Sequence, residues 1–189
     1  MLRTGIVVLA LATMGWAQNA APADKHAVAS GATKSTKPTP KLLSAARPSI
    51  TEDSAAESEL LSLANQSRED AGLPPLRINR HLMDAARAHA WLMIQQRQLS
   101  HQFDGEPNLL SRLHATGVPL NSVGENVAYN SNAEKAFHAF MNSPPHRSNL
   151  LDPDFNAAAF VAIWSDGQLY VVQDFVRQVA DITPVSTRK

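Results

Sequence analysis

The residues with the most chemical potential are His101, Glu125, Ser143 and His146. Ser143 and His146 bracket Pro144-Pro145, and Arg147 and Asn149 follow at once. A hydroxyl, an imidazole and a guanidinium packed into one rigid turn form a polar group that invites a site. Three chemistries are open to it. His101 and His146 could bind a divalent metal such as zinc, with Glu125 as ligand or orienter, because imidazole suits that ion. Ser143 could act as nucleophile, His146 as general base and Glu125 as orienter of a hydrolase. Against the hydrolase, the prolines supply no N–H for an oxyanion hole and no nucleophile elbow is visible. The third chemistry is recognition alone, with His101, Glu125, Ser143 and His146 shaping a polar cleft. Each residue also has a plain structural role to weigh. His101 could cap a helix end, Glu125 could accept backbone N–H bonds, and Arg147, Asn149 and Asn126 could anchor turns.

Composition narrows the setting. The chain has 189 residues, 17 Lys+Arg against 17 Asp+Glu, 44% hydrophobic residues and no cysteine. Balanced charge gives no field for nucleic acid. The absence of cysteine excludes disulfides, Cys-ligated zinc and thiol catalysis. Met1-Leu2-Arg3, the apolar run over residues 6–14 and Gly15-Trp16-Ala17 read as a signal peptide over residues 1–17. The apolar run is shorter than the ~20 residues a membrane span needs. The expectation is a secreted protein, extracellular or periplasmic, with no stable membrane span after cleavage. Residues 18–54 are rich in Ala, Pro, Ser, Thr and Lys and read as a disordered linker.

The elements that must position the site follow from periodicity. Ser54-Ala55-Ala56-Glu57 resembles a capping box, and Leu60, Leu61, Leu63 and Ala64 give the first helix an apolar face that ends at Gly72. Leu73, Leu76 and Ile78 are expected beneath the turn. Asn79 caps a second helix to about Arg97, with Leu82, Ala85, Ala86, His89, Leu92, Met93 and Gln96 on one face. His89 is expected to be a satisfied core histidine. Asn108 starts a short helix carrying Leu109, Leu110 and Leu113. Residues 122–129 read as a strand interrupted by Gly124-Glu125-Asn126. Residues 132–142 form a helix with Ala133, Ala136, Phe137 and Phe140 inward, broken at Pro144. Residues 155–164 and 168–177 are strands of a hairpin turning at Asp166-Gly167. This order predicts an α+β layered domain over residues 55–180 with a small antiparallel sheet, and a frayed tail over 181–189.

Taken together these segments resemble the CAP superfamily of cysteine-rich secretory, antigen 5 and pathogenesis-related 1 proteins, in its bacterial, cysteine-free branch. The resemblance is carried by Leu63-Ala64-Asn65-Gln66-Ser67-Arg68, Ala71-Gly72-Leu73-Pro74-Pro75-Leu76, residues 85–90, Leu99-Ser100-His101, Gly124-Glu125-Asn126-Val127-Ala128, residues 140–151 and Gln173-Asp174-Phe175. It implies a three-layer α-β-α sandwich with a cleft over the sheet. In many members the cleft holds two histidines and two acids. His101, Glu125 and His146 match three of those positions, Phe140 stands where Trp is usual, and Ser143 stands where the second acid would be. The resemblance favours a binding module over an enzyme. It requires no cofactor, and leaves the partner open among a small molecule, lipid, peptide or cell-wall glycan.

Overall fold

The structure is a computed structural model and describes residues 49–179. The expected signal peptide, most of the expected linker and the C-terminal tail lie outside the described residues. Along the chain run β1 (Thr51–Glu52), α1 (Ser54–Asp70), β2 (Arg77–Ile78), α2 (Arg80–Gln96), α3 (Leu109–His114), β3 (Leu120–Asn130), α4 (Ala133–Asn142), α5 (Pro144–Leu150), β4 (Ala157–Ser165) and β5 (Gln168–Gln178). The sheet is ordered β1-β4-β5-β3, with β2 also on β4. All pairings are antiparallel except the two-residue β2–β4 contact.

Strand parity sorts the sheet into two faces. Val123, Val127, Ala159, Val161, Val172 and Val176 meet Leu82, Ala86, Ala90 and Met93 of α2 and Leu109 and Leu113 of α3. On the other face Ala158, Phe160, Ala162, Val171 and Phe175 meet Leu60 and Ala64 of α1, Ala136, Phe137 and Phe140 of α4, and Leu150 of α5. This is the expected three-layer α-β-α sandwich, and β3 is its outer strand.

Several local expectations change. Asp53, not Ser54, caps α1: its side chain accepts from Ala56 N at 2.9 Å and from Trp164 Nε1 at 2.9 Å. Those bonds hold the Asp53 carboxyl below its ordinary range, the Ala56 bond foremost. Glu57, which a capping box would turn back onto the cap, instead faces Ala162 N of β4. Thr51 and Glu52, expected to end the linker, pair with Trp164 and Ile163. Ile78 and Leu110 are exposed rather than packed. The prolines at 144 and 145 do not merely stop α4. They are the first residues of α5, where a missing N–H costs nothing because the first turn has no acceptor for it.

Arg68 is the largest departure. It lies on the buried face of α1 and is fully enclosed. Its guanidinium donates to the carbonyls of Pro74 (2.8 Å), Leu150 (3.0 Å), Asp152 (2.9 Å) and Phe155 (2.9 Å). It thereby ties the α1 exit to the segment that joins α5 to β4.

Candidate functional site

The site is built on β3. From Val123 to Asn130 its register with β5 is unbroken, so Gly124-Glu125-Asn126 does not interrupt the strand. Parity sends Glu125 towards α2 and α3, and Asn126 towards α4 and α5.

On the first face, Glu125 is buried with both oxygens engaged. Oε1 is 2.8 Å from His101 Nδ1, and Oε2 accepts from Arg112 Nη2. Arg112 also donates to the His101 carbonyl at 3.2 Å and pairs with Glu106 Oε1 at 2.9 Å. Glu106 Oε1 stands 2.7 Å from His89 Nδ1, and His89 Nε2 is 2.8 Å from the Ser100 carbonyl. A carbonyl only accepts, so His89 Nε2 carries a hydrogen. The loop that presents His101 is therefore pinned through its main chain at Ser100 and His101 and through its own imidazole.

Asp174 completes this face. It lies opposite Glu125 in the ladder and is fully buried. Burial, then the charge of Glu125, pushes its carboxyl well above the usual range, partly opposed by Arg112. Among the described residues no donor reaches either oxygen. The Glu125 carboxylate opposite it is itself an acceptor, so a bond between the two requires a proton on Asp174.

On the second face Asn126 Nδ2 donates to the His146 carbonyl at 3.1 Å and to Gln173 Oε1 at 3.1 Å. Asn149 Nδ2 donates to the Glu125 carbonyl at 3.1 Å and to Asn126 Oδ1 at 2.9 Å. These bonds clamp α5 to β3. The close approach requires glycine at 124, where an added Cβ would lie 3.0 Å from Asn149 Oδ1 and 3.0 Å from Phe155 Cζ. The His146 ring is buried and meets Phe140 edge-on with centroids 5.3 Å apart.

Residues 61–175 match the model of the cysteine-rich secretory protein family, CAP. The chain belongs to this family. An uncharacterized Bacillus subtilis protein, YkwD, is 33% identical over 103 residues, covering 54% of this chain and 40% of its own length. An uncharacterized membrane protein of the same organism, YlbC, is 28% identical over 124 residues, covering 65% of this chain and 35% of its own. The CAP chain thus spans well under half the length of these two relatives. Among solved structures, an extracellular SCP-domain protein of Bacillus anthracis is similar with TM-score 0.60 and 27% identity, over 66% of this chain and 41% of that one. An outer surface protein of Borrelia burgdorferi shares the fold with TM-score 0.66 and 20% identity, over 70% of this chain and 99% of that one.

Within the CAP fold, His101 and Glu125 meet directly. His146 belongs to the other helical layer and is joined to β3 through its carbonyl. Ser143 is half-buried and starts α5 without a side-chain capping bond. Arg147 is exposed, and Asn149 and Asn126 are anchors. For a metal held by His101, His146 and Glu125, both Glu125 oxygens are already taken, by His101 and Arg112, and among the described residues no group of three or more His, Asp or Glu side chains is disposed to hold an ion. Arg112 and Asp174 join the site without standing out in the sequence. Both are detectable there as charges at inward positions: Asp174 alternates with Val172 and Val176, and Arg112 adjoins Leu113 on the face begun by Leu109.

Proposed function

We propose that this CAP protein is exported and acts as a non-catalytic binding module, with His101, Glu125, Ser143 and His146 as recognition groups beside the outer strand β3. The carrying observation is the double engagement of Glu125. A carboxylate held by both His101 and Arg112 is fully committed and presents a fixed imidazole. Ser143 adds no reason for catalysis, since the two residues after it lack N–H donors. Export is supported by the basic and apolar start of the sequence. It is also supported by relatives described as extracellular and as an outer surface protein, and among the described residues no helix is long and apolar enough to cross a membrane.

Two measurements on the full chain test the module. A serine-directed phosphonate probe should leave Ser143 unlabelled; labelling that disappears in Ser143→Ala and His146→Ala would replace this reading with a hydrolase. Millimolar zinc should leave the melting temperature unchanged; a rise lost in both His101→Ala and His146→Ala would establish a metal site instead. Export is read from the N-terminus of the secreted protein, expected at Gln18.

A further inference from the structure

The two tyrosines of the chain, Tyr129 and Tyr170, stand directly opposite one another on β3 and β5. Their ring centroids are 5.9 Å apart and tilted by 48°. Tyr170 rests against the α2 layer, while Tyr129 is 39% exposed on the outer strand. Main-chain groups accompany the rings. The Glu125 carbonyl accepts from Asn149 and so points off β5; two-residue parity turns the N–H and C=O of Tyr129 to the same open side.

A charged pair lies beside the rings. Arg97, at the end of α2, and Asp166, in the β4–β5 turn, approach to 3.9 Å, and both act on the Tyr170 hydroxyl. They are also the non-glycine residues with positive φ among the described residues, at 50° and 48°. Asp166 has the usual reason, a tight hairpin turn before glycine. Arg97 stands where a helix normally ends in glycine, so an arginine is held there at some backbone cost. Gln168 is exposed beyond the turn and has the parity of Tyr170.

This surface combines aromatic faces, one cation, one anion and a side-chain amide. A strong anion would meet Asp166, a strong cation would meet Arg97, and a bare alkyl chain would use neither the amide nor the hydroxyls. A sugar ring suits all of them, with C–H groups on one face and hydroxyls around its rim. We propose that Tyr129 and Tyr170 form a stacking platform for a neutral pyranose chain, with Arg97, Asp166 and Gln168 reading its hydroxyls. The proposal deepens the binding-module reading and rests on it. It places the ligand four residues along β3 from Glu125, on the same face of the strand.

The test is co-sedimentation of the full chain with chitin beads, competed by soluble chitotetraose. The wild-type protein is expected to sediment and to be released by the oligosaccharide. Tyr129→Ala should weaken binding by about tenfold or more, the loss of one stacked ring, with the melting temperature recorded to show that the fold survives. Tyr129→Phe should restore binding to within about threefold, because the ring face remains. Absence of sedimentation, or equal sedimentation of Tyr129→Ala, overturns the platform. Loss of binding in His101→Ala with Tyr129→Ala unaffected also overturns it, while leaving the binding module in place.

Discussion

Asp174 keeps a carboxyl group buried among the described residues with no donor to its oxygens, which favours its protonated form. Its native affinity for the proton is raised by burial and by Glu125. In the unfolded chain it titrates near an ordinary aspartate. Between those two values the native state holds a proton that the unfolded state has released. Stability therefore falls as pH rises, by at most about 1.4 kcal/mol per pH unit from this group. Asn at this position is uncharged at every pH. Asp174→Asn is expected to melt higher than wild type at neutral pH, with the advantage shrinking to nothing as the pH approaches about 4. Melting curves across that range check it; an advantage independent of pH would show that the proton is not involved. At Arg68 the expected sign is opposite. Arg68→Met leaves the carbonyls of Pro74, Leu150, Asp152 and Phe155 without their donor, at a cost of ~3–5 kcal/mol in urea unfolding. Arg68→Lys should recover only part of this, since a single ammonium lacks the planar fork. Neither role follows from local pattern. Arg68 reads locally as the polar end of an amphipathic helix, and its carbonyl partners are 82 to 87 residues away or in the adjoining turn.

At the scale of elements, Gly124-Glu125-Asn126 assigns one task to each residue. Gly124 admits α5, Glu125 serves one helical layer and Asn126 serves the other. The sequence motif is legible, but its geometry is not, because a charge and a glycine inside a strand read locally as a break. What makes the strand continuous is β5, whose Asp174 and Gln173 face the same two layers. Gly124→Ala is expected to destabilise by ~1–3 kcal/mol, since Asn149 and Phe155 are both anchored and cannot retreat freely. A milder cost on pairing Gly124→Ala with Asn149→Ala than on Gly124→Ala alone would locate the strain at that contact; a double mutant cycle reads it. Helices with strong caps and apolar faces are the most legible elements: Asn79 caps where expected, and Asn108 and Asn132 cap the helices expected to start there. The two-residue strands β1 and β2 carry no period of their own and exist only because β4 offers them an edge. Among the site residues, His101 and Glu125 are legible as partners through the family resemblance. The placement of His146 in the opposite layer is not, because nothing local fixes which side of the sheet α5 will cover.

Among the described residues two apolar layers run from Ala56 to Val176. Their closure depends on contacts that are distant in sequence: β3 with β5 and β1 with β4, and Arg68 with the segment that joins α5 to β4. The α1 cap likewise joins Asp53 to Trp164, at the far end of the hairpin. A chain shortened to residues 49–179 retains every one of these contacts. It is expected to fold alone and to melt within about 4 °C of the full chain, roughly what 1 kcal/mol would shift a domain of this size. Beginning instead at residue 55, where the sequence pattern places the start of the domain, removes β1, the Asp53 cap and the Trp164 bond together. That shorter chain should melt lower, because the exposed edge of β4 and the first turn of α1 lose their partners at once. Calorimetry of the two fragments decides the matter. Equal melting temperatures would mean that residues 51–53 add nothing to the fold, and that the domain does begin near residue 55.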